Sequence, residues 1–198
     1  MPGAATGDEI SDSFACNRTG AVDPCNRSLA RIEAMIRNDP NNAELYRERG
    51  VIHRRLHHLD LAQADYNRVI ALQPDSAENY INHSSALLHM GYADQARKDA
   101  EQAIRLAPKN PMGYILRGIT YLGTHQDDKA IADFTRAIAL QPDRAMTYVS
   151  RSSAHINKGE YALANQDCLR AIALMPNHTA TMGIDRESAQ VVRCKPPK

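Results

Sequence analysis

Residues 111–144, PMGYILRGITYLGTHQDDKAIADFTRAIALQPDR, recur along the chain with a period of 34 residues. Prolines at 40, 74, 108, 142 and 176 keep the beat. Counting position 1 from three residues after each proline gives four full units, 43–76, 77–110, 111–144 and 145–178. Position 4 is Tyr46, Tyr80, Tyr114 and Tyr148, and position 8 is Gly50, Ser84, Gly118 and Ser152. Position 20 is always alanine, position 28 always isoleucine and position 30 always leucine. Position 24 is Tyr66, Ala100, Phe134 and Cys168. A fixed period of this length signals a repeat architecture in which each unit buries its faces mainly against its neighbours.

Within a unit the pattern predicts two short antiparallel helices. Apolar residues at positions 20, 24, 27 and 28 recur at three- and four-residue steps and so share one helical face. Small residues at 8 and 20 let the two backbones approach closely, and the tyrosine at 4 fills the space left at the base of the hairpin. Asp60, Asp94 and Asp128 at position 18 are placed as N-caps of the second helices. Gly91 and Gly159 at position 15 suit a left-handed residue ending the first helix, with His57 and His125 there in the other units. Proline at 32 stops the second helix. Asn110-Pro111 reads as a cap followed by proline at the first helical position.

These positions resemble the tetratricopeptide repeat, whose signature is an aromatic at 4, small residues at 8 and 20, an aromatic at 24, alanine at 27 and proline at 32. The match covers 43–178, and the unit 111–144 carries it most fully. The resemblance implies an all-α, right-handed superhelical solenoid of antiparallel helix pairs, its first helices lining a concave groove.

The flanks complete the domain plan. Residues 1–22 are rich in Gly, Ala, Ser, Asp and Asn and read as a mobile segment. Residues 23–42 read as an N-terminal capping helix, with Leu29, Ile32, Met35 and Ile36 at helical spacing. Residues 179–198 read as a C-terminal capping helix and tail, with Met182, Ala189 and Val192 inward. The whole is read as one elongated domain.

Charge narrows the function. The 198 residues carry 24 Lys and Arg against 23 Asp and Glu, a formal net charge of +1. That argues against a general nucleic-acid or anionic-membrane binder. No apolar run approaches membrane-spanning length, and the first residues lack the basic-then-apolar layout of a signal peptide. The reading is therefore cytoplasmic. It becomes periplasmic, or another oxidising compartment, if the chain is a mature form in which Cys16 and Cys25 close a disulfide; the alternative for that pair is two reduced thiols. Cys168 occupies the core position 24 and reads as a small buried hydrophobe, while the pairing of Cys194 is unreadable.

Catalytic motifs are missing. The chain has no HExxH, CxxC, GxxxxGK[ST] or GxSxG. His53 and His57 stand four apart, with His83 or His89 one unit on, but no carboxylate or cysteine completes a metal set. Arginine at position 7 (Arg49, Arg117, Arg151) and aspartate at 23 (Asp65, Asp99, Asp133, Asp167) repeat, which points to structural pairing between helices. The reading is a non-enzymatic interaction module with no cofactor and no metal site.

Family geometry aims positions 2, 5, 6, 9, 12 and 13 of the first helices at the groove. The first unit then offers Arg47, Glu48, Val51, Arg54 and Arg55, and the second Ile81, Asn82, Ser85, Leu88 and His89. The third offers Met112, Ile115, Leu116, Ile119 and Leu122, and the fourth Met146, Val149, Ser150, Ser153 and Ile156. Such a groove is basic at its N-terminal end and apolar at its C-terminal end, and suits a peptide with an acidic end and apolar anchors. Ile119→Glu is expected to spare the fold. The two-carboxylate clamp of some relatives is not reproduced: Arg47 and Asn82 fit it, but Val51, Met112 and Leu116 depart from it. The rival readings are a structural, self-associating solenoid, its groove filled internally or by another copy, and, behind it, a metal-dependent enzyme with its site at His53 and His57.

Overall fold

The computed structural model describes residues 22–175. The chain divides into two compact units, Met1–Gly91 and Tyr92–Lys198. The division falls between the two helices of the repeat 77–110. The mobile 1–22 segment, all but its last residue, and the C-terminal capping helix expected from the sequence lie outside the described residues.

Among the described residues the first unit contains α1 (Val22–Asn38), α2 (Ala43–Arg55), α3 (Leu59–Leu72) and α4 (Ala77–His89). The second contains α5 (Ala93–Leu106), α6 (Pro111–Gly123), α7 (Asp127–Leu140), α8 (Ala145–Asn157) and α9 (Tyr161–Leu174). No strand occurs among them. The architecture is an all-α helical repeat, two helices to each period.

In the first unit α1 covers the first hairpin through Cys25 and Ile32, which are buried with Leu45 and Ile52. Met35, placed inward by its spacing, is 44 % exposed instead. The next layer is Ala62, Tyr66 and Ala86. In the second unit Ala130, Phe134 and Ala154 form one cluster, and Ala145, Tyr148, Val149, Cys168 and Ala171 another. Burying an aromatic such as Phe134 contributes roughly 1.5–3 kcal/mol.

The small residue at position 8 packs on position 24. A Cβ on Gly118 would lie 2.7 Å from the Phe134 ring, and one on Gly50 3.1 Å from the Tyr66 ring. Ser152, with the extra atoms, faces a smaller partner: its Oγ lies 3.1 Å from Cys168 Sγ. The tyrosines of position 4 do more than fill space. The hydroxyls of Tyr46, Tyr114 and Tyr148 donate to the carbonyls of Pro40, Pro108 and Pro142, at 3.1, 3.2 and 3.0 Å. Each ties the start of a hairpin to the turn that precedes it.

The helix ends follow the sequence in part. Asn110 accepts a bond from the Met112 amide at 2.9 Å, with Pro111 at the helix start, and Asn42 caps α2 through the Glu44 amide. Gly91, Gly159, His57 and His125 all have positive φ, at 82°, 74°, 59° and 54°. The aspartates of position 18 are not caps. His58, Tyr92 and Gln126 occupy the cap positions without side-chain bonds, and Asp60, Asp94 and Asp128 lie inside the first turn. There their charge favours the positive end of the helix dipole without taking up an amide directly.

Both described cysteines, Cys25 and Cys168, are disulfide-bonded. Cys168 is buried as its position implies, but it is not the inert apolar filler that its repeat position suggests. Cys16 and Cys194 lie outside the described residues.

Candidate functional site

The repeated arginines are absorbed by the fold. Arg49, Arg117 and Arg151 grip Asp65, Asp133 and Asp167 with shortest distances of 2.6, 2.7 and 2.6 Å. Each arginine approaches its carboxylate through two nitrogens. These bonds raise the guanidinium pKa values above the ordinary arginine value, more than burial lowers them. The carboxylates are buried, so the pairs are more than surface ornaments of the hairpins. Arg47, expected in the groove, is likewise engaged: it donates to Glu44, and at 3.2 Å to both Gln73 Oε1 and Asn79 Oδ1.

A concavity remains in the first unit. Arg54 and Arg55 from the last turn of α2, His57 and Leu59 from the following turn and α3, and His89 from the end of α4 line a cavity of about 300 Å³. Burial raises the pKa of the Tyr66 hydroxyl, and Arg54 acts in the opposite direction. Three of these residues, Arg54, Arg55 and His89, were legible as groove positions. His57 was not: it stands past the end of α2 in the left-handed region, so it does not share a helical face with His53. His53 is buried, and burial lowers its pKa. No group of three or more His, Cys, Asp or Glu side chains among the described residues is placed to hold a metal ion.

The other groove positions divide. Val51, Ile81, Asn82, Ser85 and Leu88 are half-buried. Met112, Ser153 and Ile156 are also half-buried, and Met146 is exposed. Ile115, Leu116 and Val149 do not form an open apolar wall, being only 6, 5 and 3 % exposed. Ile119 packs against the Ala130–Phe134–Ala154 cluster. Its side chain is partly buried in that packing, which counts against the expectation that Ile119→Glu spares the fold. The periodicity marks apolar positions but does not distinguish a covered one from an open one.

At the far end of the second unit, His155 Nδ1 lies 2.7 Å from Glu160, and Lys158 Nζ lies 2.7 Å from Asp128 and 2.6 Å from Glu160. The Lys158 ammonium, then His155, hold the Glu160 carboxyl below the ordinary range. This network joins the start of α7 to the α8–α9 turn.

Residues 82–190, more than half of the chain, match the family model described as the ETO1 C-terminal domain, and residues 25–77 match one described as a tetratricopeptide repeat. The chain belongs to the tetratricopeptide-repeat family. Solved structures agree on the fold. A MamA fragment from Desulfovibrio magneticus RS-1 is 20 % identical, with 87 % of this chain and 98 % of that one covered and a TM-score of 0.73. TTC0263, a thermophilic protein of this family from Thermus thermophilus, is 19 % identical over 87 and 94 % of the two chains, at 0.70. YrrB, described as a tetratricopeptide-repeat protein with an unusual peptide-binding site, is 16 % identical over 87 and 90 %, at 0.66. No curated protein sequence matches the chain significantly. The tetratricopeptide-repeat fold is in general a protein-interaction scaffold and typically non-enzymatic. No helix among the described residues is long and apolar enough to cross a membrane.

Proposed function

We propose that this tetratricopeptide-repeat protein is a non-enzymatic interaction module that binds a segment of a partner protein on the face lined by α2 and α4. The cavity bounded by Arg54, Arg55 and His89 carries this reading. The same two helices carry the half-buried Val51, Ile81 and Leu88, a mixture suited to a peptide with both charged and apolar side chains. The peptide-binding site named for YrrB lends support by analogy of fold. The burial of Ile115, Leu116 and Val149 argues against a partner site on that part of the second unit.

Affinity capture from source extract tests the reading, with wild type beside Val51→Glu/Leu88→Glu. Circular dichroism must show equal helicity. A protein retained by wild type and lost by the folded variant is the expected result. No specific retention by the wild type overturns it.

A second reading rests on a different observation. Tyr161, Leu163 and Leu169 on α9 are 55, 44 and 53 % exposed, which favours self-association through that helix. Light scattering over a concentration series separates the two, since a monomer throughout excludes self-association. The bonded state of Cys25 and Cys168 supports an oxidising compartment as the place of work.

A further inference from the structure

We propose that the chain closes two local disulfides, Cys16 with Cys25 and Cys168 with Cys194, which fasten its flanking segments to the first and last described helices. The inference is independent of the partner-binding reading.

Cys25 and Cys168 are both bonded, and the chain holds two other cysteines, Cys16 and Cys194. Four cysteines allow three pairings. A disulfide requires its two Cα atoms to come within about 7 Å. Cys25 is buried with Ile32, Leu45 and Ile52, and Cys168 with Ala145, Tyr148, Val149 and Ala171. Each is packed among residues of its own end of the chain.

Reach favours the local pairing. Cys25 lies in the first turn of α1, which begins at Val22, so Cys16 precedes that helix by only six residues. Cys194 follows Leu174, the end of α9, by 20 residues, while Cys168 lies about 9 Å back along that helix. That length of chain spans such a distance several times over. The other two pairings join cysteines more than 140 residues apart, and the entropy lost on closing a loop grows with its length.

The placing of cysteine along the repeats points the same way. No cysteine stands between 25 and 168. Position 24 is Tyr66, Ala100 and Phe134 in the first three units and becomes Cys168 in the last, the unit that Cys194 follows. A thiol used only as a small core residue has no reason to avoid the inner units. One that bonds to a flanking segment must stand beside it. Cys25 and Cys168 are 0 and 1 % exposed, so the described half of each bond is shielded from solvent thiols. That suits a permanent staple.

Forming each bond removes two protons and two electrons from a pair of thiols. An oxidised dithiol carrier takes them up by thiol–disulfide exchange and leaves as the dithiol.

Disulfide mapping of the full chain from its native source is the test. Trypsin places the four cysteines on separate peptides, 1–18, 19–27, 159–170 and 194–198. The protein is denatured without reductant, treated with N-ethylmaleimide, digested and analysed by mass spectrometry. The expected result is peptide 1–18 linked to 19–27 and 159–170 linked to 194–198, with no maleimide label. Peptide 19–27 linked to 159–170 or to 194–198, or label on Cys16 or Cys194, overturns the proposal. So does a dimer on a non-reducing gel that reductant separates, since the bonds would then join two chains. Cys194→Ser gives a second measurement. It is expected to expose one thiol per chain, on peptide 159–170, and to leave 1–18 linked to 19–27. Label on 1–18 or 19–27 in that variant shows a crossed pairing and equally overturns it.

Discussion

At the scale of single residues, the contact between positions 8 and 24 sets the spacing of the hairpin. Gly118→Ala places a methyl 2.7 Å from the Phe134 ring, so the ring or the helix must shift. We expect a loss of roughly 1–3 kcal/mol in urea denaturation. Gly123→Ala, with nothing within 4 Å of the new Cβ, serves as the control and is expected to be neutral or slightly stabilising. Equal losses in both would place the cost in the backbone and not in the ring contact. Histidine 53 gives a pH dependence of known sign. Burial is the main cause of its lowered pKa; Asp65 acts in the opposite direction, and Arg49 and His58 reinforce the lowering. The unfolded chain therefore binds a proton that the folded chain resists. The stability from this group is present above the unfolded value, near 6.5, and is lost as pH falls through it toward the folded value. The fall in urea midpoint between pH 7.5 and 5.5 is expected to be smaller in His53→Gln than in wild type. An equal fall would remove His53 from the account.

At the scale of the helix pair, the arginine–aspartate forks join the two helices of a hairpin. Arg117→Met leaves Asp133 buried without its partner, and we expect a loss of roughly 2–3 kcal/mol. This lies below the cost for a wholly buried pair because the guanidinium is 25 % exposed. Replacing both residues, Arg117→Met with Asp133→Leu, is expected to restore much of it; no recovery would show that the fork contributes more than cancellation of a buried charge. This level was the most legible in the sequence. The pairing of positions 7 and 23, the glycine turns and the Asn110-Pro111 start follow from local chemistry that the period repeats. The caps of the second helices were misplaced, because an aspartate in the first turn and one at the cap differ only by a shift of register. The cavity was half legible. Arg54, Arg55 and His89 were visible as groove positions, but His57 and Leu59 join them only through the turn after α2, which periodicity does not describe. The apolar wall was over-read for the same reason: Ile115 and Leu116 carry the right pattern, and only coordinates show that they are covered.

At the scale of the whole molecule, repeats draw stability from neighbouring layers and their end layers lack one neighbour. The two described cysteines lie in the first and last described helices, Cys25 within the Ile32–Leu45–Ile52 cluster and Cys168 within the Tyr148–Val149 cluster. A covalent bond at each of these cysteines adds to the packing of its cluster. Since the chain contains four cysteines and both of these are bonded, the native protein is expected to yield at most two titratable thiols when denatured without reductant. Reduction is expected to lower the stability by roughly 2–4 kcal/mol for a bridge that closes a loop, measured as a shift of the urea midpoint. Circular dichroism should then show loss of helix at lower denaturant concentration, with the folded signal retained in its absence. Four reactive thiols in protein isolated from its native source would instead show reduced cysteines and a reducing place of work. The oxidising compartment would then fall, while the repeat fold, which rests on the alanine and aromatic layers, would stand.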